Sequence, residues 1–253
     1  MEFEYVDLAH WARQEHYHHY LSQVPCTYSM TTRLDITPIL QAGHSLYPAM
    51  LHCISKTVHM HAEFRMELDA DGRLGYYKRL HPCYTVFHKD TETFSNLWTE
   101  YAEDYAEFCQ RYRQDLERYG GVKAMQAKPD TPANTFPVSM VPWESFDGFN
   151  LNLQKGYHYL LPIFTMGKYT RIGERYELPL SIQVHHAVCD GFHVCRFLSD
   201  LRAVIADFPG KRSRLRAERQ FLVQSCGKER ENGAGTATRY QPRSVIRLPV
   251  RSA

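Results

Sequence analysis

A run of seven residues between a predicted strand and a predicted helix constrains the fold of this chain more than any other feature. The run is His185-His186-Ala187-Val188-Cys189-Asp190-Gly191. Residues 176–184 before it alternate between apolar and polar side chains, which predicts a strand. In residues 194–205 after it, apolar side chains recur at spacings of three and four, which predicts a helix. His186 is therefore expected where the strand ends, so that a rigidly held imidazole can face a cleft.

The chemistry of this run depends on His186, because histidine is the side chain best suited to move a proton near neutral pH. A core histidine beside an Asp-Gly turn is the structural alternative, but two histidines at this distance from Asp190-Gly191 favour a catalytic role. Asp190 could complete a triad with His186, although the chain contains no GxSxG nucleophile elbow. It could instead pair with an arginine and lock the loop. Cys189 could be a nucleophile, but a small buried thiol is the more common state of such a residue.

The composition of the chain, with 43% hydrophobic and 13% aromatic residues, is typical of a folded globular protein. No apolar run is long enough to span a bilayer, and the N-terminus lacks the basic-then-apolar pattern of a signal peptide. The seven cysteines are scattered and include no CxxC pair, which favours reduced thiols over disulfides or a zinc site. We therefore expect a cytoplasmic protein that has no membrane partner.

Histidines cluster at two further places, and each is a candidate for metal binding. His16, His18 and His19 lie close together near the N-terminus, and His59 and His61 form an H-x-H pair. Neither set is completed by an HExxH motif or by cysteines, so surface or structural histidines are favoured and no metal is expected.

Charge is unevenly distributed, and the change in charge marks a boundary. Residues 211–253 carry eleven Lys and Arg against three Glu, a net charge of +8, whereas the whole chain carries +2 and residues 1–210 carry −6. Phe208-Pro209-Gly210 breaks the preceding helix. We expect one folded domain over 1–210 and a basic C-terminal extension over 211–253 that is disordered or loosely attached. A basic arm can bind nucleic acid, but this one has few aromatic residues and no amphipathic stripe, so no nucleic-acid partner is expected.

The rest of the chain alternates between helical and strand patterns in irregular order. Helices are predicted over 8–21 with Asp7 as the cap, over 38–61 and over 97–119, and strands over 26–35, 64–68, 74–77, 83–88, 137–141, 159–167 and 176–186. An Asp-Ala-Asp-Gly turn joins the second and third strands into a hairpin. This order predicts an α/β fold, a two-layer sandwich with a mixed sheet.

The segment from Leu178 to Phe197 resembles the active-site segment of type A chloramphenicol acetyltransferases. Shorter segments that resemble the same family follow in the same order along the chain, at 11–16, 85–95, 142–143, 146–152 and 165–169. The resemblance therefore covers about residues 1–208 and ends where the composition changes. The His-x-x-x-Asp-Gly element alone also resembles dihydrolipoyl acyltransferases and the condensation domains of peptide synthetases, which share one CoA-dependent acyltransferase fold.

This resemblance implies an enzyme that transfers acetyl from acetyl-CoA, a co-substrate, to the C3 hydroxyl of chloramphenicol and so confers antibiotic resistance. No tightly bound cofactor is implied. His186 matches the general base that takes the proton from the hydroxyl, without an acyl-enzyme. Ser139 matches the serine that stabilises the tetrahedral oxyanion, and Thr165 matches a threonine that supports the transition state through a bound water.

The remaining matched positions support or line the site. Asp190 matches an aspartate that pairs with an arginine of the first helix, here Arg13, which favours the structural role of Asp190 over the triad. The residues that match the antibiotic pocket and the CoA contact are Tyr20, Phe94, Phe149 and Leu151 for the pocket and Tyr169 for CoA. Members of the family are homotrimers whose active sites lie between subunits, so the resemblance implies a homotrimer.

Two departures from the family pattern keep an alternative open. His19 stands where the family commonly has a phenylalanine, and the chain continues through the basic extension. The alternative is an acyltransferase of the same fold that acts on another hydroxyl or thiol acceptor. A non-catalytic protein whose basic extension recruits nucleic acid is a third hypothesis, which the presence of His186, Ser139 and Asp190 together disfavours.

Overall fold

A mixed sheet and a layer of helices enclose the apolar core, as the sequence predicts for an α/β sandwich. The structure, a computed structural model, describes residues 2–152 and 158–208, so the predicted extension over 211–253 lies outside the described residues. The strands of the described residues are β1 (Phe3–Tyr5), β2 (Thr27–Asp35), β3 (Met66–Leu68), β4 (Leu74–Tyr77), β5 (His81–His88), β6 (Thr93–Trp98), β7 (Thr135–Met140), β8 (Ile163–Met166), β9 (Thr170–Ile172) and β10 (Arg175–His185). The α-helices are α1 (Gln14–His18), α2 (Thr37–Gln41), α3 (Leu46–Met60), α4 (Tyr105–Tyr119) and α5 (Gly191–Ala206).

The main sheet has the strand order β2-β10-β8-β7-β5-β6, and β9 also pairs with β10. Strand β10 is antiparallel to β2 and to β8, whereas β7 is parallel to β5 and to β8. A smaller sheet has the order β1-β4-β3 and contains the predicted hairpin. The sheet is therefore mixed, as predicted, and α5 follows directly after the end of β10.

Strand β10 is buried on both faces, because its two sets of alternating side chains meet different partners. Successive side chains of a strand point to opposite faces of the sheet. Leu180, Ile182 and Val184 belong to the apolar core. Ser181 and Gln183 alternate with them and are also buried, and both hydrogen-bond to the segment 149–151. One face of β10 is therefore core, and the other is a polar surface beneath a loop.

The predicted helix over 8–21 is wrong as a single helix. A 3₁₀ turn over Leu8–His10, capped by the Asp7 carboxylate, ends at Trp11, whose backbone is extended (φ −82°, ψ 120°). This break places the Trp11 ring on Tyr17, with centroids 5.8 Å apart. Helix α1 then continues into a π-helical turn over His19–Gln23. Packing of Trp11 therefore outweighs the imperfect helical pattern of this segment.

The predicted helix over 38–61 is also two helices. Gly43 has φ 71°, in the left-handed region that favours glycine. Its N–H donates to the Leu40 carbonyl at 2.9 Å, which ends α2. Helix α3 then starts at Leu46 and is buried along most of its length.

Several strand boundaries differ from prediction because sheet pairing decides them. The predicted helix over 97–119 starts only after Asp104, whose side chain accepts the Glu107 N–H. Residues 97–98 instead form the end of strand β6, which the sequence does not predict. Residues 62–65 form a 3₁₀ turn before β3. Strand β8 covers only the middle of the predicted strand over 159–167, and the short strands β1 and β9 were not predicted.

In the described ranges, no helix combines the length and the apolar composition that a membrane span requires.

Three histidines accept backbone hydrogen bonds; His81 and His185 are buried, and His59 is half-buried. His59 Nε2 accepts from Leu80 N–H at 3.2 Å, His81 Nδ1 from Tyr101 N–H at 3.1 Å, and His185 Nδ1 from Ala187 N–H at 3.2 Å. Burial is the main cause that lowers the pKa of each of these histidines to about 4. The folded chain therefore requires these rings to be neutral, because a protonated nitrogen cannot accept.

We predict that the free energy of unfolding falls as the pH drops from about 7 to about 5. In this window an unfolded histidine, with a pKa near 6.5, binds a proton that the folded protein excludes until about pH 4, so stability rises with pH. The variant His81→Asn keeps an acceptor for the Tyr101 N–H but does not titrate. Urea unfolding midpoints across this pH range should decline less steeply for His81→Asn than for the wild type. The exposed variant His10→Asn is the control, and equal slopes in the two variants would contradict the prediction.

Candidate active site

His186 lies directly after β10, on a loop whose backbone is fixed by hydrogen bonds. Its own N–H donates to the Cys26 carbonyl at 3.0 Å, which extends the pairing of β10 with the chain before β2 by one residue. The N–H groups of Val188 and Cys189 both donate to the His185 carbonyl, at 3.2 and 3.0 Å. The chain therefore turns sharply between β10 and α5, as the motif predicts, and His186 is half-buried at this turn.

Two tyrosine rings hold the imidazole of His186. Tyr20 stacks on it with ring centroids 3.8 Å apart and planes 8° apart. Tyr28 lies against it at 5.3 Å and 60°. The Nδ1 atom of His186 is buried and forms no hydrogen bond within the described part of the chain, and the Tyr28 hydroxyl is in the same situation. The plane of the imidazole is therefore set by aromatic contact.

Sequence reasoning placed Tyr20 in the antibiotic pocket and missed Tyr28. The register of β2 and β10 pairs Tyr28 with Val184, two residues before His186. A correct pairing of these two strands would have been needed to find Tyr28 from sequence, since it is distant from the motif along the chain.

The Asp190 carboxylate holds the loop at its other end. Oδ2 accepts from Arg13 Nη1 at 2.5 Å, and Oδ1 accepts from the N–H groups of Phe192 and His193 at 3.1 and 3.4 Å, which caps α5. Burial opposes ionisation, but the hydrogen bond and the charge of Arg13, together with the hydrogen bond from the His193 N–H, outweigh it and lower the pKa of Asp190. This carboxylate is hydrogen-bonded to Arg13 and to the N–H groups at the N-terminus of α5. These contacts suit a structural role of Asp190 and not a triad.

Cys189 is a poor candidate for a nucleophile. Its side chain is fully buried, and burial is the main cause that raises its pKa well above the ordinary value of a thiol. The Sγ–H donates to the Glu63 carbonyl at 3.5 Å. Because the thiolate is the nucleophilic form of cysteine, a thiol held in this state does not attack a thioester.

Ser139 and Thr165 are neighbours on the sheet. The parallel register of β7 and β8 pairs the two residues, and the register of β8 and β10 pairs Thr165 with Ser181. Thr165 is buried and Ser139 is half-buried. Three hydroxyl side chains therefore form a row across three strands, on the polar face of the sheet.

The structure does not bring Ser139 to His186 within one chain. Ser181 precedes His186 by five residues along extended chain, which corresponds to roughly 16 Å. Ser139 lies two strands further across the sheet, a lateral distance of roughly 10 Å. A hydrogen bond spans about 3 Å, so these two residues of one chain cannot act on the same reacting atom.

The other predicted contact residues lie at separate places. The backbone of Leu151 exchanges two hydrogen bonds with the Gln183 side chain, at 2.7 and 3.0 Å, and the Phe149 carbonyl accepts from Ser181 Oγ at 2.5 Å. Leu151 also lines a cleft of about 390 Å³ together with Tyr28. Phe149 and Leu151 thus cover the polar face of β10.

Phe94 and Tyr169 are exposed. Phe94 pairs with Phe87 across β5 and β6, and Phe87 contacts the exposed Trp143 edge-to-face with centroids 4.7 Å apart. Tyr169 follows β8 and contacts Tyr176 at 5.9 Å. Phe87, Phe94 and Trp143 thus leave much of their side-chain surface exposed to water at one end of the sheet.

The clustered histidines of the N-terminal segment line a second cleft, of about 520 Å³, that also includes Tyr20. His19 Nδ1–H donates to Gln23 Oε1 at 2.9 Å, and its ring lies edge-on to Tyr20 at 4.8 Å. Among the residues that the structure describes, no group of His, Cys, Asp and Glu is arranged to hold a metal ion.

Comparison with known proteins shows which family this chain belongs to. The sequence model of the family described as chloramphenicol acetyltransferase matches residues 1–202. The chain belongs to this family. A chloramphenicol acetyltransferase from Vibrio anguillarum is 59% identical over 205 residues, which are 81% of this chain and 95% of that protein. One from Campylobacter coli is 55% identical over 205 residues, 81% of this chain and 99% of that protein.

Solved structures support the fold of the chloramphenicol acetyltransferase family. A structure described as chloramphenicol acetyltransferase has a TM-score of 0.71 at 19% identity and covers 81% of this chain and all of that chain. A dihydrolipoamide acetyltransferase from Azotobacter vinelandii has a TM-score of 0.57 at 17% identity and covers 76% of this chain and 86% of that chain. The predicted CoA-dependent acyltransferase fold is therefore confirmed.

Proposed function

We propose that this chain is a chloramphenicol O-acetyltransferase of type A, which transfers acetyl from acetyl-CoA to the C3 hydroxyl of chloramphenicol and so confers resistance. The observation that carries this proposal is the imidazole of His186, stacked on Tyr20 at the end of β10, in a chain that is 59% identical to a chloramphenicol acetyltransferase. Both substrates are then small molecules. The reaction needs no tightly bound cofactor.

His186 is the general base in this mechanism. Its neutral imidazole takes the proton of the C3 hydroxyl as the oxygen attacks the thioester carbonyl. The tetrahedral intermediate collapses, the carbon–sulfur bond breaks, and the proton passes from His186 to the CoA thiolate. Acetyl moves directly from sulfur to oxygen, which is consistent with the protonated state of the buried Cys189 thiol.

Ser139 stabilises the oxyanion, and Thr165 assists it. A hydroxyl donor aimed at the developing negative charge lowers the barrier because its orientation is set before the reaction. Thr165 is the cross-strand neighbour of Ser139, so it can hold a water beside the same oxygen. Tyr20, Phe94, Phe149 and Leu151 line the antibiotic site, and Tyr169 contacts CoA.

The active site is completed between subunits of a homotrimer. Since Ser139 and His186 of one chain lie on parts of the sheet far beyond hydrogen-bond distance, one catalytic centre must take them from two copies. The exposed side chains of Phe87, Phe94 and Trp143 fit a surface that is covered on assembly. Acetyl-CoA as a co-substrate and buried reduced thiols such as Cys53 favour a cytoplasmic enzyme.

A second acceptor class is favoured by one observation. His19 is half-buried beside Tyr20 in a cleft whose other lining residues are polar. A hydroxyl or thiol acceptor other than chloramphenicol would use the same base and the same oxyanion donor. Acceptor dependence therefore distinguishes the two functions.

We predict that the wild type releases CoA thiol from acetyl-CoA in a chloramphenicol-dependent reaction. His186→Ala should lower kcat by about 10²- to 10⁴-fold, because the base is lost, and Ser139→Ala by about 10²- to 10³-fold, because one oxyanion donor is lost. His10→Ala, at an exposed site, is the control. Thiol release is followed with a thiol-reactive dye. Release that depends on another acceptor and not on chloramphenicol would favour the second function, and unchanged kcat in His186→Ala would exclude His186 as the base.

We predict that inactive variants complement each other if the site lies between subunits. In a mixed trimer, a Ser139→Ala subunit supplies His186 and a His186→Ala subunit supplies Ser139, so about one in three interfaces of the doubly tagged trimers is complete. Co-expression of the two variants with different affinity tags, followed by isolation of doubly tagged oligomers, gives the material for the same assay. Activity no higher than that of either variant alone would contradict the interfacial site.

We propose that residues 1–210 are the acetyltransferase domain and that 211–253 are not needed for catalysis. The family match ends at residue 202, and the alignments with the relatives cover 81% of the chain. Truncation after Gly210 should leave kcat and both KM values within about twofold, because no residue assigned to the site is removed. Size-exclusion chromatography and the same assay measure this, and loss of the oligomer on truncation would contradict it.

A further inference from the structure

The loop that carries His186 is held by a second set of contacts besides that with Arg13. The 3₁₀ turn over Ala62–Arg65 contacts α5 through Phe64, which stacks on Phe197 with ring centroids 4.4 Å apart, and through Glu63. Its carbonyl accepts the Cys189 thiol at 3.5 Å, and its carboxylate Oε1 accepts from Arg196 Nη2 at 2.9 Å. The same oxygen lies 3.6 Å from Nε2 of His193. Glu63 thus contacts both the loop and the first turns of the helix that follows.

His193 connects Glu63 to Asp190. Its ring is largely buried, with 11% of the side chain exposed. Nδ1 lies 3.1 Å from the Asp190 N–H and 2.8 Å from Asp190 Oδ1. In the neutral ring with its proton on Nε2, Nδ1 accepts the Asp190 N–H, and this bond completes the capping box of α5. The Glu63 carboxylate favours that tautomer, because it attracts a proton to Nε2.

We infer that Glu63 and His193 are positioning residues for the general base His186. Asp190 is held at three points: at Oδ2 by Arg13, at Oδ1 by the N–H groups of α5, and at its own N–H by His193. Only three residues separate Asp190 from His186. Loss of the His193 contact leaves the carboxylate bound but removes the hydrogen bond that holds the Asp190 backbone N–H, at the C-terminal end of the loop that begins with His186. This inference rests on the proposed function of His186.

A substitution at His193 changes its contacts with the charged and aromatic groups that face the ring. They are Glu63 from the 3₁₀ turn, Asp190 from the loop, Arg196 and the Phe192 ring from α5, and Arg13, which acts through Asp190. None of these groups other than Asp190 belongs to the loop between β10 and α5. A change at His193 therefore reaches His186 through the Asp190 backbone.

The chain offers a matched control a short distance along α5. His61 Nε2 lies 2.9 Å from Asp200 Oδ2, a His–carboxylate contact between the end of α3 and α5 that lacks hydrogen-bond geometry and does not touch the loop. Asp200→Asn removes the charge of that contact. It should lower the unfolding midpoint without changing kcat.

The test compares His193→Ala, His193→Asn, Glu63→Gln and Asp200→Asn. The Asn side chain places an oxygen near the position of Nδ1 and keeps the acceptor for the Asp190 N–H. We expect kcat for chloramphenicol acetylation to fall by about 10- to 100-fold in His193→Ala, with both KM values within about threefold, because misplacing the base acts on the transition state. His193→Asn should recover most of this loss, and Glu63→Gln should show a smaller loss.

A second measurement can be made without an acetyl acceptor. The ring ¹⁵N shifts of His186, read from long-range ¹H–¹⁵N correlation spectra, should move in His193→Ala and stay unchanged in Asp200→Asn. A kcat for His193→Ala within about twofold of wild type, together with unmoved His186 shifts, would overturn the positioning role. If the wild type shows no chloramphenicol-dependent release, the proposed function fails, and the His186 shifts still decide whether His193 positions the ring.

Discussion

The ion pair between Arg13 and Asp190 is the contact on which the rest of this site depends. It joins the start of α1 to the loop between β10 and α5, two parts of the chain separated by more than 170 residues. Without it the Asp190 carboxylate would still cap α5, but the N-terminal segment would lose its link to the loop. That segment carries Tyr20, whose ring sets the plane of His186. One partly buried ion pair thus determines both where the imidazole stands and what it stacks on.

The position of this pair leaves His186, the general base that we propose, without a carboxylate partner. In a triad, the carboxylate binds the imidazole and stabilises its protonated form. Here the only carboxylate on the loop is bound to Arg13 and to two helix N–H groups, so its charge is neutralised locally. In direct acetyl transfer the base holds its proton only briefly before the leaving thiolate takes it. A stacked neutral ring is sufficient for that task.

Sequence reasoning succeeded where local chemistry decides the structure and failed where distant pairing decides it. The end of β10, the turn and α5 follow from alternation, an Asp cap and helical spacing that all lie within one segment. The break at Gly43 has a local cause, a glycine with positive φ, which the continuous helical pattern over 38–61 obscures. The break at Trp11 depends on the packing of its ring against Tyr17, and a helical pattern does not show this. Tyr28 and Glu63 reach the loop through strand pairing and through the docking of a 3₁₀ turn, so nothing near them in the sequence marks them.

The long strand β10 explains why His186 and Ser139 cannot meet in one chain. Its pairing with β2 continues to His185, so His186 lies at the far end of an extended strand. The pairing with β8 covers only the four positions up to Gln183, and the register places Thr165 beside Ser181 in its middle. Any sequence that keeps this strand extended and both registers intact keeps His186 and Ser139 roughly 16 Å apart along the strand and roughly 10 Å apart across the sheet. If His186 and Ser139 act together as we propose, assembly of copies is the simplest route to a complete centre, because it requires no change in the sheet.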